Sequence, residues 1–188
     1  MDNCSPARRT GRPLRTPRPQ LRPLHQLRHA LPESEVGGSV TDRPLVIGLG
    51  SPHGDDQAGW LVIARLLERG ASPTVVRAVA HPAQLWDWWE AGQALIVCDL
   101  SLGDGPPGTI HRRVWPHDPL PHEPLAGTHD MPLTEVLRLG AALDDPPREV
   151  VVWTISGGQC EAATGSSRAV SAAAQSLGDA LWEQLRGE

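Results

Sequence analysis

Two adjacent carboxylates, Asp55 and Asp56, stand behind a glycine-rich turn in PLVIGLGSPHGDDQAGWLVIARLLERG, residues 44–70. A third acid, Asp99, follows the apolar run ALIVC, and His129 opens THDMPLTEVLRLGAAL after a proline-rich loop. Gly48, Gly50 and Gly54 give a G-x-G-x-x-x-G spacing close to a dinucleotide fingerprint, a weak signal alone. A helix start attracts anions through free N–H groups and the helix dipole. Here the protein's own carboxylates stand at that positive end, so a phosphate would meet like charges within a few ångströms. Helix capping accounts for one aspartate: Asp55 reads as an N-cap worth about 1 kcal/mol, with Asp56 a favourable first-turn acid. Asp56, Asp99 and His129 come from three separate elements. A carboxylate–carboxylate–imidazole set of that kind suits a transition-metal ion.

The elements that must position these residues alternate in type. LVIGLG has the unbroken apolar pattern of a buried parallel strand. DDQAGWLVIARLLERG reads as a helix with Trp60, Ile63, Ala64 and Leu67 on one face and Gly70 past its end. TVVRAVA, ALIVCDLS, GTIHRRVW and REVVVWTISGG read as further strands, with Asp99 ending its strand. PAQLWDWWEAG reads as a short helix carrying Leu85, Trp86 and Trp89. SSRAVSAAAQSLGDALWEQLRGE reads as a last helix capped by Ser166 or Ser167. This predicts one three-layer α/β/α domain over residues 43–188, with a largely parallel sheet of about five strands (phosphorylase/hydrolase-like). Ligands of such sheets bind at the carboxyl ends of the strands, where Asp99 is expected to emerge.

Residues 1–42 are rich in Arg and Pro and lack a core-forming pattern, so a disordered tail is expected there. Residues 1–30 carry seven Arg and one acid, net +6, which leaves −11 on the rest of a chain whose net charge is −5. An acidic body disfavours nucleic acid as the main partner. Three cysteines without CxxC spacing fit a reducing compartment. The paired arginines in SPARRTGRPLRT are not followed by an apolar segment, and no apolar run approaches the ~20 residues of a membrane span. The expected setting is cytoplasmic, without a membrane partner, and the expected state is a monomer.

In order and spacing, four blocks of this chain resemble the hydrogenase maturation endopeptidases, which trim the C-terminus of a NiFe-hydrogenase large subunit. The blocks are GLGSPHGDDQAGWLV, the strand LIVCD, GTHDMPLTEVL, and the weaker VWTISGGQCEAATGSSRAV. The resemblance implies the fold given above and places Asp56, Asp99 and His129 at the family's nickel-contacting positions. It also implies that the partner is the large-subunit precursor and that nickel, the implied cofactor, arrives inserted in that substrate. An acidic turn would then face a metal cation. Some positions depart from the family: Ser51 stands for the usual Asn, Gln57-Ala58 for Gly-Val, and His81-Pro82 for an acidic, Gly-rich element linked to substrate reading.

Hydrolysis of a peptide bond needs an activated water, a polarised carbonyl and a proton for the leaving amine. Metal and carboxylate together can supply these, with Asp56, on the turn, as the leading general base. HExxH and G-x-S-x-G motifs are absent, and Cys98 is expected to be buried, so zinc-protease, serine and cysteine mechanisms gain no support. Two alternatives stand beside this reading. One is a non-catalytic relative that binds the nickel-loaded precursor, and the other is a nucleotide-binding α/β enzyme.

Overall fold

The computed structural model describes residues 43–120, 131–143, 146–158, 160–161 and 164–187. The tail expected over residues 1–42, and His129, lie outside the described residues. Five strands, β1 (Leu45–Leu49), β2 (Val76–Val79), β3 (Ala94–Leu102), β4 (Ile110–Trp115) and β5 (Glu149–Gly157), form one sheet in the order β2-β1-β3-β5-β4. All neighbours are parallel except β4, which runs antiparallel to β5. Helices α1 (Ala58–Glu68), α2 (Leu133–Ala142) and α3 (Arg168–Gly187) complete the domain with two 3-10 turns, Gly54–Gln57 and Pro82–Asp87. The expected α/β/α architecture is therefore observed.

The period-two alternation of the strands divides the core. Ile96 and Cys98 point toward α1 and α3, packing with Val62, Leu66, Val170 and Ala174. Leu95 and Val97 point the other way, toward Leu133, Val136 and Leu137 of α2 and toward Leu85 and Trp89. From β1 the chain moves outward to β2, then crosses back to β3 on the other side of β1. The order of the strands thus reverses between β1 and β3, and the crevice at their carboxyl ends is the topological switch point of the sheet.

Four local expectations are corrected. The buried stripe of α1 is Ala58, Gly59, Val62, Ile63 and Leu66, while Leu67 is exposed. The helix lies so close to the sheet that only Ala58 and Gly59 fit beneath its first turn. The Trp60 side chain is displaced to the rim, where its indole N–H donates to Val79 O at 2.9 Å. The segment after the glycine turn is not one helix: Gly54–Gln57 forms a 3-10 turn, and α1 starts at Ala58. Asp99 does not end its strand, because β3 continues to Leu102 by pairing with β5. Finally, α2 starts at Leu133, not at His129; Pro132 precedes it with an extended ψ of 151° and disfavours helix at the residue before it.

The end of α1 is as expected. Gly70 adopts φ +99° and donates to Leu67 O, and Ala71 donates to Leu66 O, a Schellman closure. Among the described residues no helix is long and apolar enough to cross a membrane.

Candidate functional site

The glycines behind β1 serve close packing. A Cβ on Gly48 would collide with Gly59 O, one on Gly50 with Asp56 O, and one on Gly59 with the carbonyl oxygens of both Leu49 and Cys98. Gly59 is the key position. It lets the start of α1 rest directly on β1 and β3, which puts the acidic turn over the crevice between them.

Within that turn four backbone N–H groups are engaged. Ser51 N donates to Asp56 O (3.1 Å), Gly54 N to Thr164 O (3.0 Å), Asp56 N to His53 O (3.1 Å) and Ala58 N to Asp55 O. A phosphate cradle needs such donors free and aimed at the ligand. We therefore expect no NAD or ATP binding at millimolar ligand by calorimetry; a micromolar dissociation constant would contradict the geometry.

Asp55 and Asp56 are divided in role. Asp55 is 1% exposed, and its carboxylate reaches across the sequence: it accepts from Gly158 N (3.1 Å), Ser167 N (2.6 Å) and Ser166 Oγ (3.5 Å). The N-cap role expected for Asp55 on its own helix is therefore not observed; it holds instead the N–H of Ser167, which precedes α3 and caps that helix as expected, its Oγ accepting from Val170 N at 3.4 Å. The residue before the 3-10 turn is His53, with no side-chain cap. Gly157 makes room for Asp55; a Cβ there would lie 2.9 Å from Asp55 Cβ.

Asp56, on the next residue of the turn, is half-buried and makes no ion pair or side-chain hydrogen bond among the described residues. Beside it stands exposed Cys160. The thiol pKa of Cys160 is raised by desolvation around the sulfur and then by Asp56 and Asp55, with a backbone hydrogen bond at Asp56 opposing. This keeps the thiol protonated and poorly nucleophilic. Cys98 is buried and raised further, by burial and then Asp99. Neither cysteine is suited to attack a carbonyl.

Across the crevice, Asp99 is half-buried and its Oδ1 accepts from Leu100 N at 2.7 Å, which fixes the carboxylate against its own strand. Pairing of β1 with β3 stops at Gly48 and Cys98, so Asp99 is the first residue of β3 past the end of that ladder. Asp56 and Asp99 thus flank the switch point from its two sides. The third expected residue, His129, lies outside the described residues, and among the described residues no three His, Cys, Asp or Glu side chains come together as a metal site.

The neighbours of Asp99 on the same face are polar, a feature the sequence reading did not use. Ser101 follows two residues on, and Thr154 and Ser156 pair in register with Asp99 and Ser101. All three hydroxyl residues are buried, and Ser101 Oγ has no partner among the described residues. The signal was present in the alternation of CDLS and WTISG, where polar residues take every second place beyond an apolar run. Arg113 closes this patch by donating to Thr154 Oγ1 (2.9 Å) and to Asp104 Oδ2.

His111, Asp104 and Ser156 also meet here, but not as a catalytic triad. His111 Nε2 lies 2.6 Å from the Asp104 carbonyl oxygen, an acceptor only, so that nitrogen carries the proton. Ser156 Oγ donates to the same carbonyl at 3.0 Å and is fully buried. With its Nε2 protonated, the imidazole cannot take the serine proton.

No protein-family model matches the chain, and no curated protein matches it significantly. Solved structures do share its fold. The hydrogenase maturating endopeptidase HybD from E. coli superposes with a TM-score of 0.63 at 21% identity, covering 77% of this chain and 93% of that one. A NiFe hydrogenase maturation protease, HycI, from Thermococcus kodakarensis gives 0.58 at 20% identity, over 79% and 95%. A hydrogenase 2 maturation peptidase from a Thaumarchaeota archaeon gives 0.50 at 23% identity, over 78% and 99%. The fold is therefore that of these three peptidases along nearly their whole length.

Proposed function

We infer that the chain is an endopeptidase of hydrogenase maturation. It removes a C-terminal extension from the nickel-loaded large-subunit precursor of a NiFe hydrogenase in the cytoplasm. The observation that carries this reading is the pair of carboxylates flanking the switch point, with Asp56 free of any ion pair among the described residues. The shared fold supports it, as do the motif blocks at matching positions. In this reading Asp56, Asp99 and His129 contact the nickel, which belongs to the substrate. The metal supplies Lewis acidity at the scissile carbonyl and a recognition mark for a loaded precursor.

The chain's own residues do the rest. Asp99, whose Oδ1 accepts from Leu100 N–H, supplies the second carboxylate. Asp56 takes a proton from the attacking water as general base, from a turn whose backbone is tied at both ends. Asp55 holds the turn in place from beneath.

The test is incubation of the purified protein with nickel-loaded and nickel-free precursor, followed by intact-mass measurement. Loss of a short C-terminal peptide from the loaded form alone is expected. Stable binding without any change in mass would mean that the protein recognises the precursor but does not cut it.

A further inference from the structure

Asp56 stands between two neighbours that both hold the segment joining β5 to α3. Asp55, before it, accepts from Gly158 N and Ser167 N, at the two ends of that segment. Gln57, after it, reaches the same segment by a separate bond: its Nε2 donates to Thr164 O at 3.2 Å and to Gly54 O at 3.1 Å. Both acceptors are carbonyl oxygens, so the nitrogen of the amide must face them, and its two N–H groups serve one each.

These bonds close the acidic turn on itself. Gly54 and Gln57 are its first and last residues, so a side chain at one end grips the carbonyl at the other, with Asp55 and Asp56 between them. Thr164 O accepts from both ends of the turn, from Gly54 N at 3.0 Å and from Gln57 Nε2. Thr164 is itself fixed, its Oγ1 donating to Glu161 O at 2.8 Å.

We propose that Gln57 is a positioning residue for the cleavage reaction, a role that rests on the peptidase reading. Its amide ties the far end of the turn to the near end and to Thr164, and so fixes the direction in which the Asp56 carboxylate leaves the backbone. Asp55 anchors the turn on one side of Asp56, and Gln57 anchors it on the other. A general base must stand within hydrogen-bond reach of the attacking water, and a shift of about 1 Å costs up to roughly a hundredfold in rate. The bond to Thr164 is exposed and adds little to stability, so the reaction depends on Gln57 more than the fold does.

The test is Gln57→Met, which keeps the length of the side chain and removes both bonds. With nickel-loaded precursor, kcat is expected to fall about tenfold while KM stays within about twofold. The melting temperature should match the wild type's. The Gly54 amide, followed by NMR, should exchange about tenfold faster, because its acceptor on Thr164 is no longer held. An unchanged kcat would overturn the proposal. So would a rise in KM alone, which would make Gln57 a substrate contact, or a loss of kcat matched by a fall of several degrees in melting temperature, which would make it a structural residue. Unchanged exchange at Gly54 would overturn the proposal and leave the peptidase reading standing. A wild type that cuts no precursor would overturn that reading, and the role of Gln57 in cleavage with it.

Discussion

Replacing Asp56 by Asn, with the fold intact, is expected to reduce precursor processing by roughly two or more orders of magnitude, the size of a lost general base. Asp99→Asn and His129→Gln are expected to do the same. Each substitution keeps size and polarity while removing a charge or a basic nitrogen. The two roles open to Asp56 make opposite forecasts. As a simple first-turn acid it would tolerate Asn, because helix starts accept Asn and Asp almost equally. The side chain caps nothing among the described residues, so stability gives no reason for a loss either way. Melting curves should therefore overlay the wild type while the gel shift of nickel-loaded precursor disappears. Full processing by Asp56→Asn would remove it from the site and leave the acidic turn without a chemical role.

Gly59→Ala should produce the largest loss of stability. Propensity alone forecasts the opposite, since Ala is favoured over Gly inside a helix by about 1 kcal/mol. Packing wins because the added methyl would strike the carbonyl oxygens of Leu49 and Cys98, and backbone in two buried strands cannot turn aside as a side chain can. A loss of about 3 kcal/mol or more is expected, a fall of roughly 6–12 °C in melting temperature for a domain of this size. Any protein that folds would carry α1 displaced from the crevice, and with it Asp56. A melting temperature equal to the wild type's would show that helix and sheet can separate at no cost, contrary to the contacts seen.

The strands were legible where one residue's environment decides the outcome. LVIGL and LIVC are continuous apolar runs, and burial on both sheet faces leaves few other structures for them. The buried face of α1 was misread because its contact is made by the smallest residues, Ala58 and Gly59, while hydropathy drew attention to Trp60 and Leu67. The length of β3 beyond Asp99 depends on β5, some fifty positions later, and no local pattern records that partner. Asp55 is the clearest case. Its type and place announced a cap, but the donors are Gly158 and Ser167, 103 and 112 positions away. Sequence patterns report propensity and burial; they do not report which distant N–H a carboxylate will find. For the same reason Asp56 and Asp99 could be picked out by chemistry, whereas the hydroxyl patch beside Asp99 became visible only through strand register.

The long reach of Asp55 also sets an order of events during synthesis. β1, the turn and α1 leave the ribosome early, and their contacts with one another are local. Two of the N–H groups that hold this carboxylate, on Gly158 and Ser167, are made only near the end of the chain, as β5 and α3 form. A nascent chain therefore carries its acidic pair long before it can hold it in a fixed geometry, and closes a loop of over a hundred residues to do so. The acidic turn therefore gains its fixed geometry late, when the C-terminal third of the protein is in place, so a partly made chain does not yet hold Asp56 in position over the crevice.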